Sequence, residues 1–121
     1  MRNVGELLRL KRLEKGYTLE KTAKLVGVSI NYIAKLEKGE NSNPSDEYIV
    51  RLAKVLGLDE NSLFKSFNKI PLSTRQALHA HPHLADAFSE IANNKELSDE
   101  KKEEFLRKII YWYKKLNEEE E

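Results

Sequence analysis

Every helix-length stretch in the first 57 residues stops at a glycine, and three of the four stops are followed by a Thr or Ser suited to cap a new helix. Such punctuation leaves little room for any fold but a string of short helices. Val4, Leu7, Leu8 and Leu10 give the first stretch an apolar face, and Gly16 ends it, with Lys15 just before. Thr18 caps a second helix that carries Glu20 in its first turn, turns Ala23 and Val26 inward and ends at Gly27. Ser29 opens a third around Ile33 and Leu36, closed by Gly39. Residues 41–44 read as a loop. Ser45, with Asp46 and Glu47 behind it, opens a fourth helix whose stripe is Tyr48/Ile49, Leu52/Ala53 and Leu56, ended by Gly57. A short fifth helix carries Leu63, Phe64 and Phe67.

Residues 68–83 interrupt the pattern with Pro71, Pro82, Ser73, Thr74 and three histidines, and read as a linker with at most one helical turn near Arg75 to Leu78. Periodicity then returns. Leu84, Ala87, Phe88 and Ile91 share one helical face, and Asn93 and Asn94 mark its end. Ser98 caps a last helix to about Asn117, with Phe105/Leu106, Ile109/Ile110, Tyr113 and Leu116 as its apolar positions and the terminal glutamates as a frayed tail. The expected organisation is an all-α chain with a five-helix domain over 1–67, a linker over 68–83 and a helical hairpin over 84–121.

Composition narrows the function. The chain has no Cys, which removes disulfides and thiolate metal sites. No apolar run approaches the roughly 20 residues a bilayer span needs, and the N-terminus lacks an apolar signal segment. A cytoplasmic, nucleoid-associated location is therefore expected. The net charge of +1 hides an asymmetry: residues 1–67 carry a net +3 and residues 68–121 a net −2. Only the front half suits phosphates. No Ser–His–Asp set, Gly-rich phosphate loop or paired-carboxylate site stands out, so neither catalysis nor a cofactor is expected. His79, His81 and His83 lack a fourth ligand and Pro82 interrupts them, so they are not read as a metal site. Trp112 with Tyr111 and Tyr113 forms an aromatic group that suits packing on an amphipathic helix better than base stacking.

The informative run is Thr18 to Gly39, TLEKTAKLVGVSINYIAKLEKG. Two short helices meet at a tight turn, where Gly27 supplies a φ that a side chain would strain. Ala23 is small enough for the second helix to pack directly on it. Val28, Ile33 and Leu36 pin that helix to the core, which leaves Ile30, Asn31, Ala34, Lys35 and Lys38 facing outward. A helix presented in this way fits the major groove of DNA. Asn31 has the geometry to bond adenine bidentately, and Lys35, one turn later, to reach a guanine or a phosphate.

The segment from Val4 to about Phe67, with VGELLRLKRLEKGYTLEKTAKLVGVSINYIAKLEKGENSNPS as its supporting run, resembles the five-helix, lambda-repressor-like DNA-binding domain of Cro and C1-type (XRE family) regulators. In detail it follows the Sin-type repressors of bacilli. The resemblance implies a bacterial transcriptional repressor that binds operator DNA. With the reading of the third helix it gives an expected DNA-binding set of Thr18, Ser29, Ile30, Asn31, Tyr32, Lys35, Lys38, Asn41 and Asn43. It also implies a buried structural pair of Arg12 with Glu37. Two departures stand out: Leu19 replaces a phosphate-bonding Gln, and the loop after Gly39, often basic in the family, reads Glu40, Asn41, Ser42, Asn43.

The back half resembles the same repressors in order, length and apolar spacing, where two C-terminal helices hook onto a partner chain. Two such helices lack a core of their own. Phe88, Ile91, Phe105, Ile109, Trp112, Tyr113 and Leu116 are therefore expected to form a dimerisation surface. The implied partners are double-stranded DNA, a second copy in a homodimer or tetramer, and a small antagonist protein that captures the hairpin; no membrane is implied. Two other readings stay open: an antitoxin, or an interaction adaptor without DNA binding, to which Leu19 and the unbasic loop lend support.

Overall fold

The computed structural model describes residues 3–120. Among them are eight helices and no strand: α1 Val4–Glu14, α2 Leu19–Val26, α3 Ile30–Lys38, α4 Asp46–Leu56, α5 Glu60–Ser66, α6 Leu72–Ala80, α7 Pro82–Ala92 and α8 Asp99–Glu120. The fold is all-α, as the periodicity implies. The chain divides into two compact units, Met1–Gln76 and Ala77–Glu121.

Helices α1 to α5 each start on a side-chain cap. Asn3 Oδ1 accepts from Glu6 N–H at 2.8 Å, Thr18 Oγ1 from Lys21 N–H at 3.0 Å and Ser29 Oγ from Tyr32 N–H at 3.0 Å. Ser45 Oγ accepts from Tyr48 N–H at 3.4 Å, and Asp59 Oδ2 from Ser62 N–H at 2.9 Å. Each bond satisfies a backbone donor that the helix start would leave unpaired, and losing such a cap typically costs about 1 kcal/mol. The caps close around one core. Leu8, Ala23, Val26, Ile33, Leu36, Ile49, Leu52, Ala53, Leu56, Leu63, Phe64 and Phe67 are buried. Phe64 is wholly enclosed, and truncating such a side chain to Ala costs about 3–5 kcal/mol.

Two glycines are fixed by their neighbours. At Gly5 a Cβ would stand 2.5 Å from the Glu37 carbonyl oxygen and 2.6 Å from that of Leu36, so α1 meets the end of α3 backbone to backbone. Gly27 turns the chain between α2 and α3 at φ +86°, and a Cβ there would approach Arg51 Nη1 to 2.9 Å. That guanidinium donates to the Val26 carbonyl at 3.1 Å and so satisfies the end of α2.

The segment 68–83, expected as a linker, instead holds α6. Three features order it. Asn68 takes a left-handed φ of +58° after α5. Lys69 N–H then bonds the Phe64 carbonyl and Asn68 N–H that of Lys65, a Schellman reversal that turns the chain back. Pro71 is buried and Leu72 packs against the core. Asp46, at the start of α4, takes Arg75 Nη1 at 2.8 Å and Arg75 Nη2 at 3.2 Å, with Lys69 Nζ at 3.4 Å. Lys69 also donates to the Pro44 carbonyl at 2.7 Å, and the Arg75 guanidinium lies 5.7 Å from the Phe64 ring centroid.

In the second unit α7 starts at Pro82 itself, as Pro suits a first helical position. The Asn94 side chain holds the turn by accepting from the backbone of Glu96 at 2.8 Å and of Leu97 at 3.3 Å, and Ser98 Oγ caps α8 through Lys101 N–H. Lys102 Nζ reaches back to the Ala92 carbonyl at 2.9 Å. Helix α8 runs through Glu118 and Glu119, expected as a frayed tail, because glutamate is a good helix former. No residue of α6, α7 or α8 is fully buried among those described. Among the described residues no helix is long and apolar enough to cross a membrane, and no three His, Asp or Glu side chains gather as metal ligands do.

Candidate nucleic-acid interface

Helices α2 and α3 present one face of the first unit. Burial of Ile33 and Leu36, with Ala23 beneath them, sets the rotation of α3. The exposed arc is then Ile30, Asn31, Lys35 and Lys38, with Ala34 half-buried among them. Two exposed cations follow one another along α3, and its last turn holds both. That placement suits the negative end of the helix dipole and leaves both ammonium groups in solvent.

Thr18 and Ser29 are exposed, and their hydroxyls already serve as helix caps. Tyr32 is half-buried: its ring meets Tyr48 edge to face, 5.4 Å between centroids at 65°. Burial raises the phenol's pKa, the Asn41 side chain pulls it down by hydrogen bonding, and Tyr48 adds a smaller upward push. Tyr32 thus ties α3 to α4 more than it extends the outward arc. Asn41 is half-buried, and its Oδ1 accepts from Asn43 N–H at 3.1 Å, a local turn that leaves Asn43 exposed. Leu19 packs against the core, so it adds no polar group at the start of α2.

Arg12 and Glu37 meet at 2.8 Å (Nε to Oε2) and 3.1 Å (Nη2 to Oε1), with side chains only 11% and 7% exposed. Arg12 Nη1 also donates to the Tyr17 carbonyl at 2.9 Å. The pair bolts α1 and the turn before α2 to the end of α3. Several contributors escaped sequence reasoning. Gly5 and Arg51 position α3 and α2 through backbone contacts that no local pattern announces. Lys21 and Lys24 are exposed cations on α2, with Lys21 4.9 Å from the Tyr17 ring centroid. Their signal, two lysines three residues apart on the outer face of a capped helix, is present in the sequence, but neither belongs to the expected DNA-binding set.

The surface residues expected in the second unit are largely uncovered. Phe105 and Ile109 are 40% exposed, Phe88 51%, Trp112 54%, Leu116 62% and Tyr113 64%, while Ile91 is half-buried.

A capped helix, a glycine turn and a second helix with a charged outer face together define a helix-turn-helix domain. Residues 8–63 match the protein family described as Helix-turn-helix. The chain is 34% identical over 61 residues to the HTH-type transcriptional regulator SlrR of Bacillus subtilis (strain 168), which covers 50% of this chain and 40% of that protein. It is 30% identical over 60 residues to the regulator SinR of the same organism, across 50% of this chain and 54% of that one. The chain thus spans about half the length of the curated relatives it matches. A crystal structure of SinR, a master regulator for biofilm formation, in complex with DNA is similar at 30% identity and TM-score 0.47, covering 50% of this chain and 97% of that one.

Proposed function

We propose that this protein is a sequence-specific DNA-binding transcriptional regulator, and that it represses by holding operator DNA as a dimer where polymerase would otherwise act. SlrR and SinR, named as HTH-type transcriptional regulators, support the regulatory role. The observation that carries the reading is the exposed arc of α3, which combines an amide and two ammonium groups on a helix whose other side is locked in the core. The major groove admits a helix so presented. Asn31 bonds an adenine edge, Lys35 a guanine or a phosphate, and Lys38 the backbone. The 41–43 loop and the start of α2 add phosphate contacts through main-chain N–H groups and the side chains of Asn41 and Asn43.

The second unit supplies the pairing. Phe88, Phe105, Ile109, Trp112, Tyr113 and Leu116 are exposed and Ile91 half-buried, more apolar surface than a solvated hairpin keeps. Two chains pool these faces and bring two weak recognition helices to two half-sites, where the second contact becomes intramolecular. A small protein with a matching hairpin would compete for the same face and split the dimer. Gel shift with genomic fragments, run beside sedimentation of the full chain, tests both parts. Shifted fragments and a dimer or tetramer support them. Failure to shift any fragment turns the reading toward an adaptor or antitoxin that uses the hairpin alone.

A further inference from the structure

Ile30 is the first residue of α3 and is 48% exposed, although both neighbouring apolar side chains, Val28 and Tyr32, pack against the core. Exposed apolar residues are ordinary when scattered, and Leu13, Leu25 and Ile70 are of that kind. Ile30 differs in its place. With 3.6 residues per turn, it and Ala34 form one edge of the outward arc, Asn31 and Lys35 form the other, and Lys38 lies between. An apolar edge thus runs beside a polar one, on a helix held in place by Ile33 and Leu36 beneath it and by the Tyr32–Tyr48 contact. The first turn is rigid as well, because Ser29 Oγ accepts from Tyr32 N–H at 3.0 Å. A β-branched side chain there has one favoured rotamer, so it gives up little freedom on contact.

The major groove displays amide-like donors and acceptors, and one apolar group, the 5-methyl of thymine. Resting on the reading of α3 as a recognition helix, we infer that Ile30 reads a thymine 5-methyl group, beside the adenine edge bonded by Asn31. The polar edge of the arc then selects by hydrogen bonds and the apolar edge by shape and desolvation. The half-site accordingly holds at least one thymine whose methyl group, rather than its pairing, matters.

Removing only that methyl tests the inference. A binding sequence is selected with the full chain from a random duplex pool. Each thymine is then replaced singly by deoxyuridine, which keeps base pairing and O4. For the unaltered protein, one position in each half-site should weaken by about fourfold, the worth of one buried methyl-sized group. Ile30→Ala should bind the thymine duplex about that much more weakly and show no further loss with deoxyuridine at that position. Circular dichroism of Ile30→Ala should match the parent, since the side chain is exposed. Equal affinity for every deoxyuridine duplex, or a penalty that persists undiminished in Ile30→Ala, would overturn the inference while leaving DNA binding intact. A pool that yields no bound sequence would overturn it together with the reading of α3.

Discussion

Arg12 places its donors on three acceptors, two on Glu37 and one on the Tyr17 carbonyl, at a site where neither charged side chain is more than 11% exposed. Removing one partner of such a pair strands the other, at a cost of about 3–5 kcal/mol. Arg12→Ala should therefore lower the thermal midpoint clearly, and Arg12→Ala with Glu37→Ala should cost less than the two single losses combined. Strict additivity in that double-mutant cycle would mean that the residues do not act as a pair. On the outer face the expected effects are of another kind. Asn31→Ala should lose about 1–3 kcal/mol on the selected sequence and relax one base position. Lys38→Ala should weaken all sequences alike and reduce the salt slope of binding by about 0.9. Equal affinity of Asn31→Ala and the parent for the selected duplex would contradict the orientation of α3 in the groove.

At the scale of the elements, α6 has the most to say. Its first half is held by the Asp46 carboxylate through Arg75 and Lys69, and Lys69 also holds the Pro44 carbonyl at the end of the loop that follows α3. These groups are between a fifth and two fifths exposed, so solvent screens the ion pairs and their share of global stability is small. The hydrogen bond from Arg75, with help from Lys69, holds the Asp46 carboxyl below the ordinary aspartate range, and bonds from Ser62 do the same for Asp59. A lowered carboxylate pKa adds stability that is present above the ordinary value and is lost as pH falls through the depressed one. Carboxyl NMR should accordingly show both aspartates titrating below the ordinary aspartate value, and Arg75→Ala should move Asp46 back up while leaving Asp59 in place. A chain ending at Ala80 should also melt above one ending at Phe67; equal midpoints would show that α6 adds nothing to the first unit.

These elements also show what a sequence displays and what it hides. The helices from α1 to α4 were legible because their stops and starts are local: Gly16, Gly27, Gly39 and Gly57 all take positive φ, and Thr18, Ser29 and Ser45 all cap. The arc of α3 followed from which positions are apolar. Helix α6 was hidden because its order comes from Asp46, far away in sequence, and from Phe64 in the preceding helix, while its own segment is rich in turn formers. Gly5 was hidden for the same reason: only the arrival of the carbonyls of Leu36 and Glu37 makes it necessary. Tyr32 entered the expected DNA-binding set, and its half-burial depends on Tyr48 in another helix.

At the scale of the whole molecule, the proposed regulation calls for two properties, pairing and sequence discrimination, and the proposal assigns one to each unit. Phe105, Ile109, Trp112 and Leu116 recur at intervals of four, three and four, the spacing of a seam that fits a second helix. Ile109→Asp would place an unpaired charge in that seam. It should give a monomer in sedimentation at micromolar concentration, with weaker operator binding and an unchanged melting transition for the first unit. A parent chain that is itself monomeric at that concentration would remove the pairing role from the hairpin. Discrimination is the central claim, and the most direct measurement of it compares the full chain's affinity for a duplex selected from a random pool with its affinity for a scrambled duplex of equal length, at fixed physiological salt. Specific regulators bind their sites at least about 10³-fold more tightly than other DNA, and a ratio of that order is the predicted result. Equal affinity for the two duplexes, or no enrichment of any sequence, would contradict it.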